Sequence, residues 1–147
     1  MSGATLHGGC HCGYLTFEAR LTRATSDYAP RACDCSFCRK HGAAWLSDRQ
    51  GALIVRTRGD VVRYRQGSGQ AEFIACPQCA VLVLVACEID GRLHAAINVR
   101  AVEHDAEHDV PFATEQTASP QRLQADAKRE RWEQVWFADV RIANADD

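Results

Sequence analysis

Cys33-Asp34-Cys35-Ser36-Phe37-Cys38 places three thiols within six residues. In an extended strand, residues i and i+2 face the same side, so a C-x-C pair can turn both sulfurs toward one metal. The overlapping C-x-x-C adds a third sulfur from a tight turn. The pattern recurs on either side of this stretch. Cys10 and Cys12 form another C-x-C, and Cys76-Pro77-Gln78-Cys79 forms C-P-x-C. Seven of the eight cysteines fall in these clusters, and Cys87 stands alone. Tight clusters separated by long gaps are what metal chelation needs. A disulfide framework is the competing reading of a cysteine-rich chain. The N-terminus has no charged n-region and no apolar h-region, so no export is expected. A reducing cytoplasm, the expected location, disfavours disulfides.

A structural zinc site takes four ligands, whereas three ligands with an open position make a catalytic site. Seven clustered thiols divide as four plus three. One division joins Cys10, Cys12, Cys76 and Cys79 in a closed site that staples distant strands. It leaves Cys33, Cys35 and Cys38 around a local, open one. The competing division is a zinc ribbon pairing Cys35 and Cys38 with Cys76 and Cys79. That arrangement leaves Cys10, Cys12 and Cys33 without a partner.

The rest of the sequence bounds the partners. The 147 residues suit one domain, with 46% hydrophobic and 24% charged residues. Collagenous, disordered and coiled-coil classes are excluded. The apolar run Ala80–Cys87 is far shorter than the roughly 18 residues a membrane span needs. Net charge is −2, and two zinc ions on seven thiolates would bring it to about −5. No nucleic-acid partner and no membrane partner are expected.

Short β segments dominate. Tyr14–Leu21 alternates, with Leu15, Phe17, Ala19 and Leu21 on one face. Ala52–Val55 and Val61–Tyr64 read as strands on either side of the turn Thr57-Arg58-Gly59-Asp60. Gly67-Ser68-Gly69 marks a turn before Gln70–Ala75. Ala80–Cys87 reads as a strand buried on both faces. Asp90-Gly91 then turns the chain into Leu93–Val99. This rhythm favours an antiparallel β domain. Ser119-Pro120 is a helix-start signal, and 121–137 contains no Gly or Pro, so one C-terminal helix over 120–137 is expected.

Gly9-Cys10-His11-Cys12-Gly13, then Cys33 through Lys40, then Phe73-Ile74-Ala75-Cys76-Pro77-Gln78-Cys79 resemble the glutathione-dependent formaldehyde-activating enzyme family. That domain is shared with centromere protein V. Gly59-Asp60-Val61-Val62-Arg63-Tyr64 and Ile97-Asn98-Val99 are smaller echoes. The resemblance covers residues 5–105 and leaves 106–147 as a C-terminal extension with its helix packed on the domain. It implies the β-tent fold, made of small antiparallel sheets with zinc sites at their edges. It also implies two zinc ions per chain. The structural one would lie on Cys10, Cys12, Cys76 and Cys79, and the catalytic one on Cys33, Cys35 and Cys38. The implied reaction joins a thiol such as glutathione to a small aldehyde such as formaldehyde, in the carbon–sulfur lyase class. Two departures stand out. Ala80 replaces the glycine that usually follows the second C-x-x-C, and the extension replaces the usual ending of a longer enzyme.

The alternative function is a non-catalytic, zinc-stabilised binding module whose triplet is closed by a protein ligand, His41 or Cys87. A relative of the methionine-sulfoxide reductases would need a catalytic cysteine outside the clusters, and only Cys87 qualifies; its apolar setting reads as a buried structural thiol. Arg39 and Lys40 follow the triplet and either recognise an anionic thiol or offset the metal–thiolate charge. His11 should point away from the metal, and Asp34 reads as a solvated or turn residue. His104 and His108 lie in a solvated acidic run. Trp132 and Trp136 read as packing anchors.

Overall fold

The computed structural model describes residues 3–104 and 110–146. The strands are β1 (Ala4–Gly9), β2 (Leu15–Leu21), β3 (Arg31–Cys33), β4 (Trp45–Leu46), β5 (Ala52–Thr57), β6 (Val62–Tyr64), β7 (Glu72–Ala75), β8 (Leu82–Ile89), β9 (Arg92–Asn98), β10 (Gln116–Ala118) and β11 (Asp139–Asn144). Helix α1 (Ser36–His41) follows β3, and helix α2 (Ala125–Val135) lies between β10 and β11. One sheet has the order β1-β2-β5-β11 and the other β10-β3-β4-β9-β8-β7-β6. The architecture is mainly β, as expected.

The alternation of β2 is realised. Leu15, Phe17, Ala19 and Leu21 are buried, while Thr16 and Arg20 are exposed. In β8 every residue from Leu82 to Cys87 is buried, which is why that stretch shows no alternation. Asp90 and Gly91 have φ of 52° and 78°, the left-handed pair that a tight hairpin turn requires. They join β8 to β9 with Ile89 opposite Arg92. At Gly9 a Cβ would lie 2.4 Å from the Leu15 carbonyl oxygen, so only glycine permits β1 to run this close to β2.

Two expectations change, and the strands flanking Thr57-Arg58-Gly59-Asp60 fall in different sheets: β5 pairs with β2, whereas β6 pairs with β7. Tyr14 donates to the Asp60 carbonyl at 2.8 Å and holds the crossing segment. The C-terminal helix is also shorter than 120–137. Pro120–Arg122 forms a separate 3₁₀ turn, and α2 begins only at Ala125. Ser119, the expected cap, makes no capping bond and instead donates to Asp34. Finally, the sheets are mixed rather than wholly antiparallel. β10 runs parallel to β3 and β11 parallel to β5.

Two apolar clusters result. The larger draws on both sheets, through Phe17, Leu53, Val55, Val83, Ile97 and Phe137, and includes Cys10 and Cys76. The smaller gathers Trp45, Phe73, Val85 and Trp136 around Cys33, Cys35, Cys38 and Cys87. Apolar burial therefore supports each set of clustered cysteines separately.

Candidate metal centres

Cys10 leaves the end of β1 and Cys12 sits in the following turn, while Cys76 and Cys79 sit on the turn after β7. The four sulfurs lie within 4.8 Å of one another. Cys10 Sγ is 3.8 Å from Cys12 Sγ, and Cys12 Sγ is 3.5 Å from Cys76 Sγ. Tetrahedral zinc with Zn–S bonds of about 2.3 Å separates its sulfurs by about 3.8 Å, so the set fits that ion. Backbone N–H groups are aimed at the sulfurs. Leu15 donates to Cys10 at 3.3 Å, and Gln78 and Cys79 donate to Cys76 at 3.3 and 3.4 Å. Such donors stabilise thiolate. The turn closes with Ala80 N–H donating to the Cys76 carbonyl at 2.9 Å. Ala80 has φ of 68°, so the alanine at this usual glycine position stands in the left-handed region.

The second set is built locally. Cys33 ends β3, and Cys35 caps α1 by accepting from Cys38 N–H at 3.4 Å. Cys38 is fully buried and accepts from Trp45 Nε1 at 3.4 Å. Gln66 Nε2 donates to Cys35 Sγ at 3.7 Å. The three sulfurs again lie within 4.8 Å of one another, and among the described residues the ligand group ends at three. His41 is exposed, and its ring packs against Phe37 with centroids 4.7 Å apart. Cys87 is buried with its thiol directed at the Glu88 carbonyl, and burial pushes its pKa up. Neither joins the triplet. Cys35 and Cys38 do not gather with Cys76 and Cys79, so the ribbon pairing is not formed.

Each set holds one thiol poised to ionise. Hydrogen bonding with Cys38 brings Cys33 down to about 6 and pushes Cys38 up. Desolvation opposes ionisation of Cys79, yet hydrogen bonds, led by that of the Val81 backbone, bring it down to about 6. Loss of a thiol proton is part of metal capture.

The triplet opens on a cavity of about 640 Å³. Trp45, Phe73, Trp132 and Trp136 give it aromatic walls. Trp132 and Trp136 stack with centroids 4.7 Å apart; Trp136 is buried, as expected of an anchor, and both also face the cavity. The charged lining consists of Arg31, Lys128 and Arg131. Arg39 and Lys40, the cations expected near the open site, are exposed on α1 and do not line it. Arg31 donates to Ser47 Oγ at 2.8 Å. Burial, with the nearby Arg131 charge, lowers its pKa to about 10, so it stays cationic at neutral pH.

Asp34 is no free turn residue. It accepts from Ser119 Oγ and from Gln121 Nε2, the latter at 2.9 Å, which ties the triplet loop to the C-terminal segment. His11 is exposed. His104 accepts from Val110 N–H at 2.9 Å, and His108 lies outside the described residues.

Residues 5–120 match the glutathione-dependent formaldehyde-activating enzyme family. The chain belongs to this family. A crystal structure of a Rhodobacter sphaeroides protein is similar, with 27% identity and a TM-score of 0.52. The match covers 73% of this chain and 99% of that one. Comparison with curated proteins gives no match. Both cysteine sets lie within the family-matched residues, whereas Lys128, Arg131, Trp132 and Trp136 lie beyond them. Among the described residues, no helix is long and apolar enough to cross a membrane.

Proposed function

We propose that Cys33, Cys35 and Cys38 form the catalytic zinc site of a cytoplasmic carbon–sulfur lyase joining a thiol, such as glutathione, to a small aldehyde, such as formaldehyde. Cys10, Cys12, Cys76 and Cys79 hold a structural zinc. The observation that carries this reading is the contrast in ligand number, with three sulfurs lining a cavity in one set and four gathered in the other. Zinc at the triplet would favour the thiolate form of an added thiol at neutral pH.

In the reaction the sulfur forms a bond to the aldehyde carbon and the C=O π bond breaks. The thiol proton ends on the former aldehyde oxygen, giving a hydroxymethyl thioether; the reverse reaction releases both substrates. The chain's own residues orient this step. Trp45 Nε1 and Gln66 Nε2 hold Cys38 and Cys35 in place through their sulfurs. Trp45, Phe73, Trp132 and Trp136 give the space beside the triplet a partly apolar lining.

Cobalt substitution tests the assignment. Cobalt at the triplet should change its visible absorption when 2-mercaptoethanol, a neutral thiol, is added. Activity with formaldehyde should require that same site. An unchanged spectrum with every thiol tried would replace this reading with a zinc-stabilised binding module.

A further inference from the structure

We infer that Arg31, Lys128 and Arg131 form a cationic wall that selects a thiol bearing an oxyanion, carboxylate or phosphate, held with its sulfur toward the triplet. This rests on the proposed role of the triplet in binding a thiol. Arg31 lies two residues before Cys33 on β3, so the two side chains share a strand face. Lys128 and Arg131 lie on α2 with Trp132 and Val135, at the i, i+3, i+4 and i+7 spacing of one helix face; all four line the cavity. Lys128 Nζ reaches to within 3.6 Å of where a Cβ on Gly67 would stand, across from α2.

Three like charges around one cavity repel one another unless something offsets them. Among the described residues, the lining contains no Asp or Glu. The ion pairs of Arg20, Arg63, Arg65 and Arg100 involve none of the three. Asp34, the carboxylate closest in sequence to the triplet, is held by Ser119 and Gln121. Zinc on three thiolates would carry about −1 and leave an excess of positive charge. A bound oxyanion removes that excess, and the guanidinium forks suit carboxylate and phosphate alike. The cavity, about 640 Å³, far exceeds a one-carbon aldehyde and falls in the range of sites for larger organic ligands. Most of it is therefore left for the thiol. Lys128 and Arg131 stand outside the family-matched residues, so two of the three cations belong to this chain's own C-terminal segment.

Isothermal titration of the zinc-loaded full chain tests the wall with two probes that lack a free thiol. S-methylglutathione carries carboxylates, and desulfo-coenzyme A carries phosphates. One of them should bind, and its identity names the oxyanion. The double variant K128Q/R131Q, folded by circular dichroism, should bind that probe about tenfold more weakly or worse. The charge-preserving K128R/R131K should stay close to wild type. Failure of both probes to bind, unchanged affinity in K128Q/R131Q, or equal loss in both double variants overturns the inference. Neither probe offers a thiol to the metal, so this outcome is independent of the cobalt experiment with neutral 2-mercaptoethanol.

Discussion

The quartet and the triplet use the same ligand atom but tie together different lengths of chain. Cys12 and Cys76 stand 64 positions apart, and their sulfurs are 3.5 Å apart. A metal there joins the end of β1 to the turn after β7 and so links the two sheets. Cys33, Cys35 and Cys38 all come from one short β3–α1 segment, so a metal there closes almost no loop. The contrast teaches that the same ligand atom can gather distant strands at one place and stay within a single segment at another. What differs is sequence separation and ligand number.

The sharpest way to break the comparison is to remove one ligand from each set. Cys10→Ser should lower the thermal midpoint by more than about 10 °C, because a closed site contributes several kcal/mol and each kcal/mol is about 2–4 °C at this chain length. Cys33→Ser should lower it by only a few degrees yet abolish thiol–aldehyde activity. Calorimetry beside an activity assay reads both, and equal losses in midpoint would remove the distinction.

A mild chelator offers a gentler comparison. Three ligands on a local segment should release zinc before four ligands that bridge the sheets. One equivalent should leave with little change in circular dichroism, taking activity with it, and added zinc should restore it. A first equivalent whose loss unfolds the chain would reverse the assignment.

The smallest expected effect lies at the quartet alone. Ala80 pays a left-handed backbone cost of about 1–2 kcal/mol, which glycine avoids while losing about 0.5–1 kcal/mol in chain entropy. Ala80→Gly should raise the midpoint by about 2 °C and leave activity unchanged. A drop would mean that the alanine methyl contributes packing worth more than the strain.

Elements whose signals are local could be read directly. The alternation of β2, the continuous apolar run of β8 and the Asp90-Gly91 turn each follow from a few adjacent residues. The four-plus-three grouping of the cysteines followed from their spacing in the same way. β10 and β11 escaped because each pairs with a strand far away in sequence, and Gln116-Thr117-Ala118 carries no strand signal of its own. The helix start misled because Ser119 found a stronger partner in Asp34 than in the helix N-terminus. The cations at the cavity were half legible. Arg31 shares a strand parity with Cys33, whereas the direction faced by Lys128 and Arg131 depends on where α2 docks.

The two parallel pairings bear on how the nascent chain avoids sticking to its neighbours. Until residues 116–144 emerge, β5 and β3 are the outermost strands of their sheets. β5 reads Ala-Leu-Ile-Val-Arg-Thr, an apolar row of unpaired backbone groups and a template for aggregation. β11 covers it and presents Asp139 and Arg141 to solvent instead. β10 covers β3 with only three residues, two of them polar. One tail thus replaces the apolar border of β5 with a charged one and covers the short strand β3, and a chain truncated before Gln116 would be left with both borders bare.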